Sequence, residues 1–198
     1  GTFEGYGTVF GNVDSYKEIV AKGAFNDSLA SLKAQGRMPA LLWHHRSSEP
    51  IGIYTEMRED ETGLFVRGKL ALKTARGAEA YELMKMKALD GLSIGFMTRE
   101  DSYDKVTGIR TLNKVDLWEC SIVTFPANDS ARVSGVKNIE SIETLADAEN
   151  YLRESGGLSK SEAVGFISRV KSVQGRSDSD EQDELCEALK KLSASFIR

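Results

Sequence analysis

The sequence predicts an α+β fold: a mostly antiparallel β-barrel with a few helices over residues 1–136, followed by a helical C-terminal segment over 137–198. Three observations predict it. Short runs with strand periodicity fill the first part, separated by turn residues and interrupted by only two helical patterns. All three prolines and both tryptophans fall there. Beyond it the spacing turns helical and then acidic and polar, with no repeat of fixed period.

The opening FEGYGTVF alternates around small glycines, as a bent or closely packed strand does. Ala24 to Gln35 sets Phe25, Leu29 and Leu32 at helical spacing and stops at Gly36. Met38–His45, Ile51–Met57 and Leu64–Leu72 read as strands, the last two parted by the turn Asp60–Gly63, with Leu64, Val66, Leu70 and Leu72 on one face. Thr74 caps a second helix running to about Leu89, with a stripe of Ala78, Tyr81, Met84 and Ala88. LSIGFMTRE follows as a strand, then a polar turn at Asp104–Gly108, then a long strand from Gly108 to Phe125. Ser141–Glu154 and Ser159–Val173 read as amphipathic helices, the second opened by a Ser159-x-x-Glu162 capping box. Gly175–Glu184 reads as an acidic linker before a final short helix.

Composition narrows the function. The 198 residues are 40% hydrophobic, as in a soluble globular protein, and carry a net charge of -4. No basic field is available for a nucleic-acid backbone. Two cysteines, Cys120 and Cys186, make neither a disulfide framework nor metal spacing, and fit a reducing compartment. No run reaches the roughly 18 apolar residues of a membrane span, and the start GTFEGYGTVFG lacks the layout of a signal peptide. The first residue is Gly rather than Met, so further residues upstream are expected.

Gly91-Leu92-Ser93-Ile94-Gly95 spells G-x-S-x-G. In an α/β-hydrolase that motif follows a strand and opens a helix, with the histidine later in the chain. Here a helix precedes it, a strand leaves it, and both histidines, His44 and His45, lie upstream. The α/β-hydrolase reading fails, but a serine hydrolase of another chain order survives, because roles and geometry define the triad. Ser93 would need an imidazole to take its proton, and only His44 or His45 can serve. Strand parity puts the two rings on opposite faces, and the alternative for either is an imidazole bonded at a strand end. Glu119 shares a strand face with Leu117, Ser121, Val123 and Phe125; a carboxylate among apolar neighbours needs a donor, so it is a candidate orienter of the histidine or else a surface acid. Cys120, on the other face, reads as an inert core thiol. A His-His doublet without H-E-x-x-H or C-x-x-C offers no metal site. The turn Pro126-Ala127-Asn128 is a candidate for oxyanion donors, with Asn128 its marker, against the reading of a plain turn.

Four separated blocks, FEGYGTVFGNVDSYKEIVAKGAF, LLWHHRSSEPIG, EAYELMKMKALDGLSIGF and VDLWECSIVTFPAN, resemble in the same order the prohead maturation proteases of tailed bacteriophages, whose fold is similar to the herpesvirus assemblin proteases. The resemblance covers nearly the whole chain. It implies that Ser93 is the nucleophile, Glu119 the third member, and His45 the base, because the family block runs Leu-Trp, one polar residue, His; His44 takes the polar place and stays the alternative base. It further implies a serine endopeptidase acting inside the immature capsid in the bacterial cytoplasm, cleaving scaffolding segments from the major capsid protein and finally itself. It implies no cofactor and is compatible with a homodimer. Nucleic acid and membrane are not expected partners. The rival class is a non-enzymatic capsid assembly or scaffolding module.

Overall fold

The computed structural model describes residues 1–137, 142–154 and 157–174. The expected acidic linker and final helix lie outside the described residues. By contact the chain divides into two compact units, Gly1–Lys137 and the remainder from Asn138.

The first unit is built on one mixed sheet. Its strands are β1 (Thr2–Val9), β2 (Glu18–Val20), β3 (Ala40–Trp43), β4 (Arg46–Glu59), β5 (Gly63–Leu70), β6 (Gly91–Asp104), β7 (Ile109–Val123) and β8 (Val133–Lys137), with helices α1 (Asn26–Ala34) and α2 (Ala75–Lys85). The hydrogen-bonded order is β2-β7-β3-β4-β5-β1-β8, with β6 also pairing β7. The fifteen-residue β7 has three neighbours. Along one edge it pairs β6 over most of its length; along the other it pairs β2 at residues 110–112 and β3 at residues 119–122, both in parallel.

Two features correct the antiparallel barrel expected from the sequence. The first is parallel pairing: β2 and β3, joined through α1, both run parallel to β7, while the other pairs of the sheet are antiparallel. The sheet also does not close. Its terminal strands β6 and β8 meet at one end only, through the bridge Gly91–Arg132 and the bonds from Leu92 N to Ala131 O (2.9 Å) and from Val133 N to Asp90 O (2.8 Å). The short strands β2 and β8 are additional to those expected; three to five residues carry too little periodicity to announce a strand.

Thr74 caps α2 as expected, accepting from Gly77 N at 3.1 Å. The helix stops at Lys85 instead of Leu89, because Lys87 turns left-handed (φ 58°). Its buried side is Gly77, Ala80 and Met84, so Ala88 of the expected stripe is exposed. Leu72, beyond the end of β5, is also exposed. Phe3, Ile51, Leu64, Leu92, Leu112 and Ile122 anchor the core. The Phe3 ring lies edge-on to Tyr54 at 6.2 Å and over Gly68, where a Cβ would sit 2.5 Å from the ring.

In the second unit, α3 (Leu145–Glu154) and α4 (Lys160–Gln174) open on reciprocal caps. Ser159 N donates to Glu162 Oε2 (2.8 Å) while Glu162 N returns a bond to Ser159 Oγ (3.3 Å), the capping box legible in the sequence. Among the described residues no helix is long and apolar enough to cross a membrane.

Phe3→Ala should cost about 3–5 kcal/mol of stability, the usual cost of emptying a buried aromatic site. Urea unfolding of the first unit's transition in a Ser93→Ala background measures it, and a midpoint shift with unchanged slope is expected.

Candidate active site

Strand geometry assembles the candidate residues. In the β6–β7 ladder Ser93 lies opposite Ser121 and Gly95 opposite Glu119. Directly paired residues project on one face, and so do residues two apart, so Ser93, Ser121 and Glu119 share a face. Gly95 is where the carboxylate needs room: a Cβ there would sit 2.1 Å from Glu119 Oε1. The second glycine of G-x-S-x-G therefore clears space for Glu119 beside the serine. Gly91 likewise runs close to the chain after β7, and a Cβ on it would lie 2.6 Å from Val123 O.

The ladder skips Trp118: Gly95 pairs Glu119, and Phe96 pairs Leu117. That bulge turns Trp118 outward, 60% exposed, and leaves Glu119, Cys120 and Ser121 all buried.

His44 and His45 are not on a strand, which corrects the parity argument. Trp43 pairs Arg46, and the two histidines are the central residues of a two-residue hairpin turn, at φ 47° and 60°. Such turns need positive φ at both centres and ordinarily use Asn or Gly. The left-handed pair is held from outside: His44 N donates to Ile122 O (3.1 Å) and His45 N to Ser121 Oγ (2.9 Å).

The turn separates the two rings. His45 Nδ1–H donates to Glu119 Oε1 at 2.6 Å, and the second carboxylate oxygen accepts from Ser121 Oγ at 2.6 Å. The Glu119 bond raises the His45 pKa above its ordinary 6.5 against the opposing effect of burial. His44 instead lies edge-on to Trp43 at 4.7 Å, and partial burial with the cations Arg46 and Arg76 lowers its pKa.

Ser93 and His45 line a cleft of about 250 Å³ whose walls include Tyr16, Phe96, Ala127 and Asn128. His44 lines an adjoining opening together with Ser93, His45, Phe125 and Pro126, and is absent from the lining of the first cleft. Asn128 is buried and its side chain is committed: Nδ2 donates to Thr8 Oγ1 (3.0 Å) and Val9 O (2.9 Å), and Oδ1 accepts from Ser130 N (3.1 Å). Its amide locks the loop, leaving only main-chain groups there for a reacting oxygen. Cys120 is fully buried, and burial pushes its thiol up to about 12. Ser121 and Gly95 carry parts that the sequence reading does not assign them. The available signal was their spacing, two residues from Glu119 and from Ser93 along alternating strands.

A serine protease of the viral prohead is the class that the family match gives this chain. Residues 1–147 match the family described as caudovirus prohead serine protease, and the chain belongs to that family. It is 39% identical over 199 residues to the prohead protease of Enterobacteria phage HK97, covering 99% of this chain and 87% of that protein. A stretch covering 54% of the chain is 35% identical to part of a capsid polyprotein of Pseudomonas phage PAJU2, 17% of whose length it spans. In fold the chain resembles the capsid assembly protease of bacteriophage T4, with a TM-score of 0.52 at 12% identity, over 62% of this chain and 80% of that one.

Two outcomes follow. With His45 as the base, as proposed below, cleavage should rise with pH through its elevated value, because a base works neutral; Glu119→Gln should move this acidic limb to lower pH. The same change should reduce kcat by up to about four orders of magnitude, read from pH–rate profiles. Cys120→Ala should keep most activity, and thiol-blocking reagents should leave cleavage intact, because the thiol is buried and protonated.

Proposed function

We propose that Ser93 is the nucleophile, His45 the general base and Glu119 the group that orients and stabilises the imidazolium. The observation that supports this most directly is the bond from His45 Nδ1 to buried Glu119 on the face that carries Ser93. It fixes the tautomer: with the proton on Nδ1, the lone pair is on Nε2, where a base needs it. His45 then takes the Ser93 proton as Oγ attacks a peptide carbonyl, and later delivers it to the leaving amine. Glu119 stabilises the imidazolium between those steps. The main-chain N–H groups of Ala127 and Asn128, residues of the Pro126–Asn128 loop that line the same cleft, are assigned to the oxyanion.

The proposed substrate is the major capsid protein carrying a scaffolding segment, cut inside the prohead in the host cytoplasm, and the protease finally cuts itself. Support comes from family membership and from a relative named as a capsid polyprotein.

Ser93→Ala should abolish both cleavage of the co-expressed capsid protein and labelling by a fluorophosphonate, with the fold retained. His45→Ala should lose about 10² to 10⁴ or more in rate, while His44→Ala keeps substantial cleavage. Capsid protein processed normally by the Ser93→Ala chain would end this reading. A dead His44→Ala with an active His45→Ala would exchange the base.

A further inference from the structure

Ser121 lies in the VDLWECSIVTFPAN block without a role in the proposed triad, yet it touches both partners of the proposed nucleophile. Its hydroxyl donates to Glu119 Oε2 at 2.6 Å and accepts from His45 N at 2.9 Å, while Glu119 Oε1 holds His45 Nδ1 at 2.6 Å. These three bonds close a ring from the serine hydroxyl through the carboxylate and imidazole to the histidine main chain and back. Ser121 is itself fully buried. With its proton committed to a carboxylate and no exposed surface, its oxygen cannot meet a substrate carbonyl, so it is not a second nucleophile.

We propose that Ser121 is a positioning residue of the proteolytic reaction, which locks the Glu119 carboxylate and the left-handed His45 turn into one unit. The proposal rests on the Ser93–His45–Glu119 reading above. Its physical content is twofold. A carboxylate held by only one oxygen can rotate away from the imidazole, and then the charge that stabilises the imidazolium is misplaced when the proton arrives. A left-handed His45 whose N–H has lost its partner has less to hold its backbone in a sparsely populated region. One hydroxyl answers both needs, and serine is small enough to fit where Ser93 stands directly opposite.

Ser121→Ala removes the oxygen at nearly constant volume. In the full chain, the rate at which a fluorophosphonate labels Ser93 reports activation of the nucleophile without knowledge of the cleavage site. The expected result is a roughly 10- to 100-fold drop in the maximal labelling rate, the scale of a lost bond to a charged group, with little change in reagent affinity. The acidic limb of its pH profile should move toward lower pH as Glu119 loosens its hold on His45. In a Ser93→Ala background, NMR titration should give the same lowering of the His45 pKa. A purely structural serine would lower the unfolding midpoint and leave the pH limb and the His45 titration where they were.

If Ser121→Ala does not fold, Ser121→Cys, similar in size but only a weak donor, decides by the same readouts. Wild-type labelling and titration in the folded variant, alongside an inactive His45→Ala, would overturn the role of Ser121 and leave the proposed triad standing. Labelling that survives His45→Ala would overturn the triad itself.

Discussion

Glu119 is a carboxylate buried in a β-sheet, and most of the unusual local structure serves to make that tolerable. An ionised carboxylate taken from water without partners costs several kcal/mol even after relaxation. Here both oxygens are occupied, one by an imidazole N–H and one by a hydroxyl. The position opposite must lack a side chain, and Gly95 supplies that. The ladder must also shift so that Glu119 and Ser121 keep to the Ser93 face while Trp118 leaves the interior, and the bulge supplies that. The histidine must arrive from a turn whose two residues are both left-handed, a conformation that costs of order 1–3 kcal/mol per residue unless its surroundings impose it. No one of these features is stable alone; each is held by the others.

β7 makes the arrangement possible because it is the common neighbour. It contributes Glu119 and Ser121 itself, receives Ser93 from β6 along one edge, and receives the strand leading into the histidine turn from β3 along the other. The parallel β3–β7 pairing decides where the chain emerges: after Trp43 pairs Ile122, the next two residues fall beside the end of β7. An antiparallel partner there would reverse the strand and bring its other end to the site. Two of the three groups thus stand on regular strands and the third on a tight turn pinned to one, a more exact mounting than long loops give. The same burial keeps Cys120, the neighbour of Glu119, protonated and out of reach.

The electrostatic consequence is a compromise. The bond that orients His45 also raises its pKa, so more of it is protonated near neutral pH than of an ordinary histidine. A protonated ring cannot act as base, but a stronger base takes the serine proton more readily once neutral. His44, one residue away, is shifted in the opposite direction by its partial burial and then by the nearby cations Arg46 and Arg76. Adjacent imidazoles with opposite shifts in one turn follow from their partners and not from their residue type.

Legible in the sequence were the α+β class, the main strands and helices, the Thr74 and Ser159–Glu162 caps, and a serine, two histidines and an acid in three separated blocks. Those features depend on local periodicity and local hydrogen bonds, which a chain carries in its own order. Folding in three dimensions set the sheet as mixed and open, made His44 and His45 turn a hairpin instead of ending a strand, bonded Ser121 to both Glu119 and His45, and put Gly95 where the carboxylate needs room. Pairing partners and bulges set those outcomes between residues far apart in the chain, 76 positions from His45 to Ser121 and 92 from Glu18 to Arg110. No periodicity within either segment encodes that register; only the neighbouring strand's backbone, once in place, selects which side chains meet.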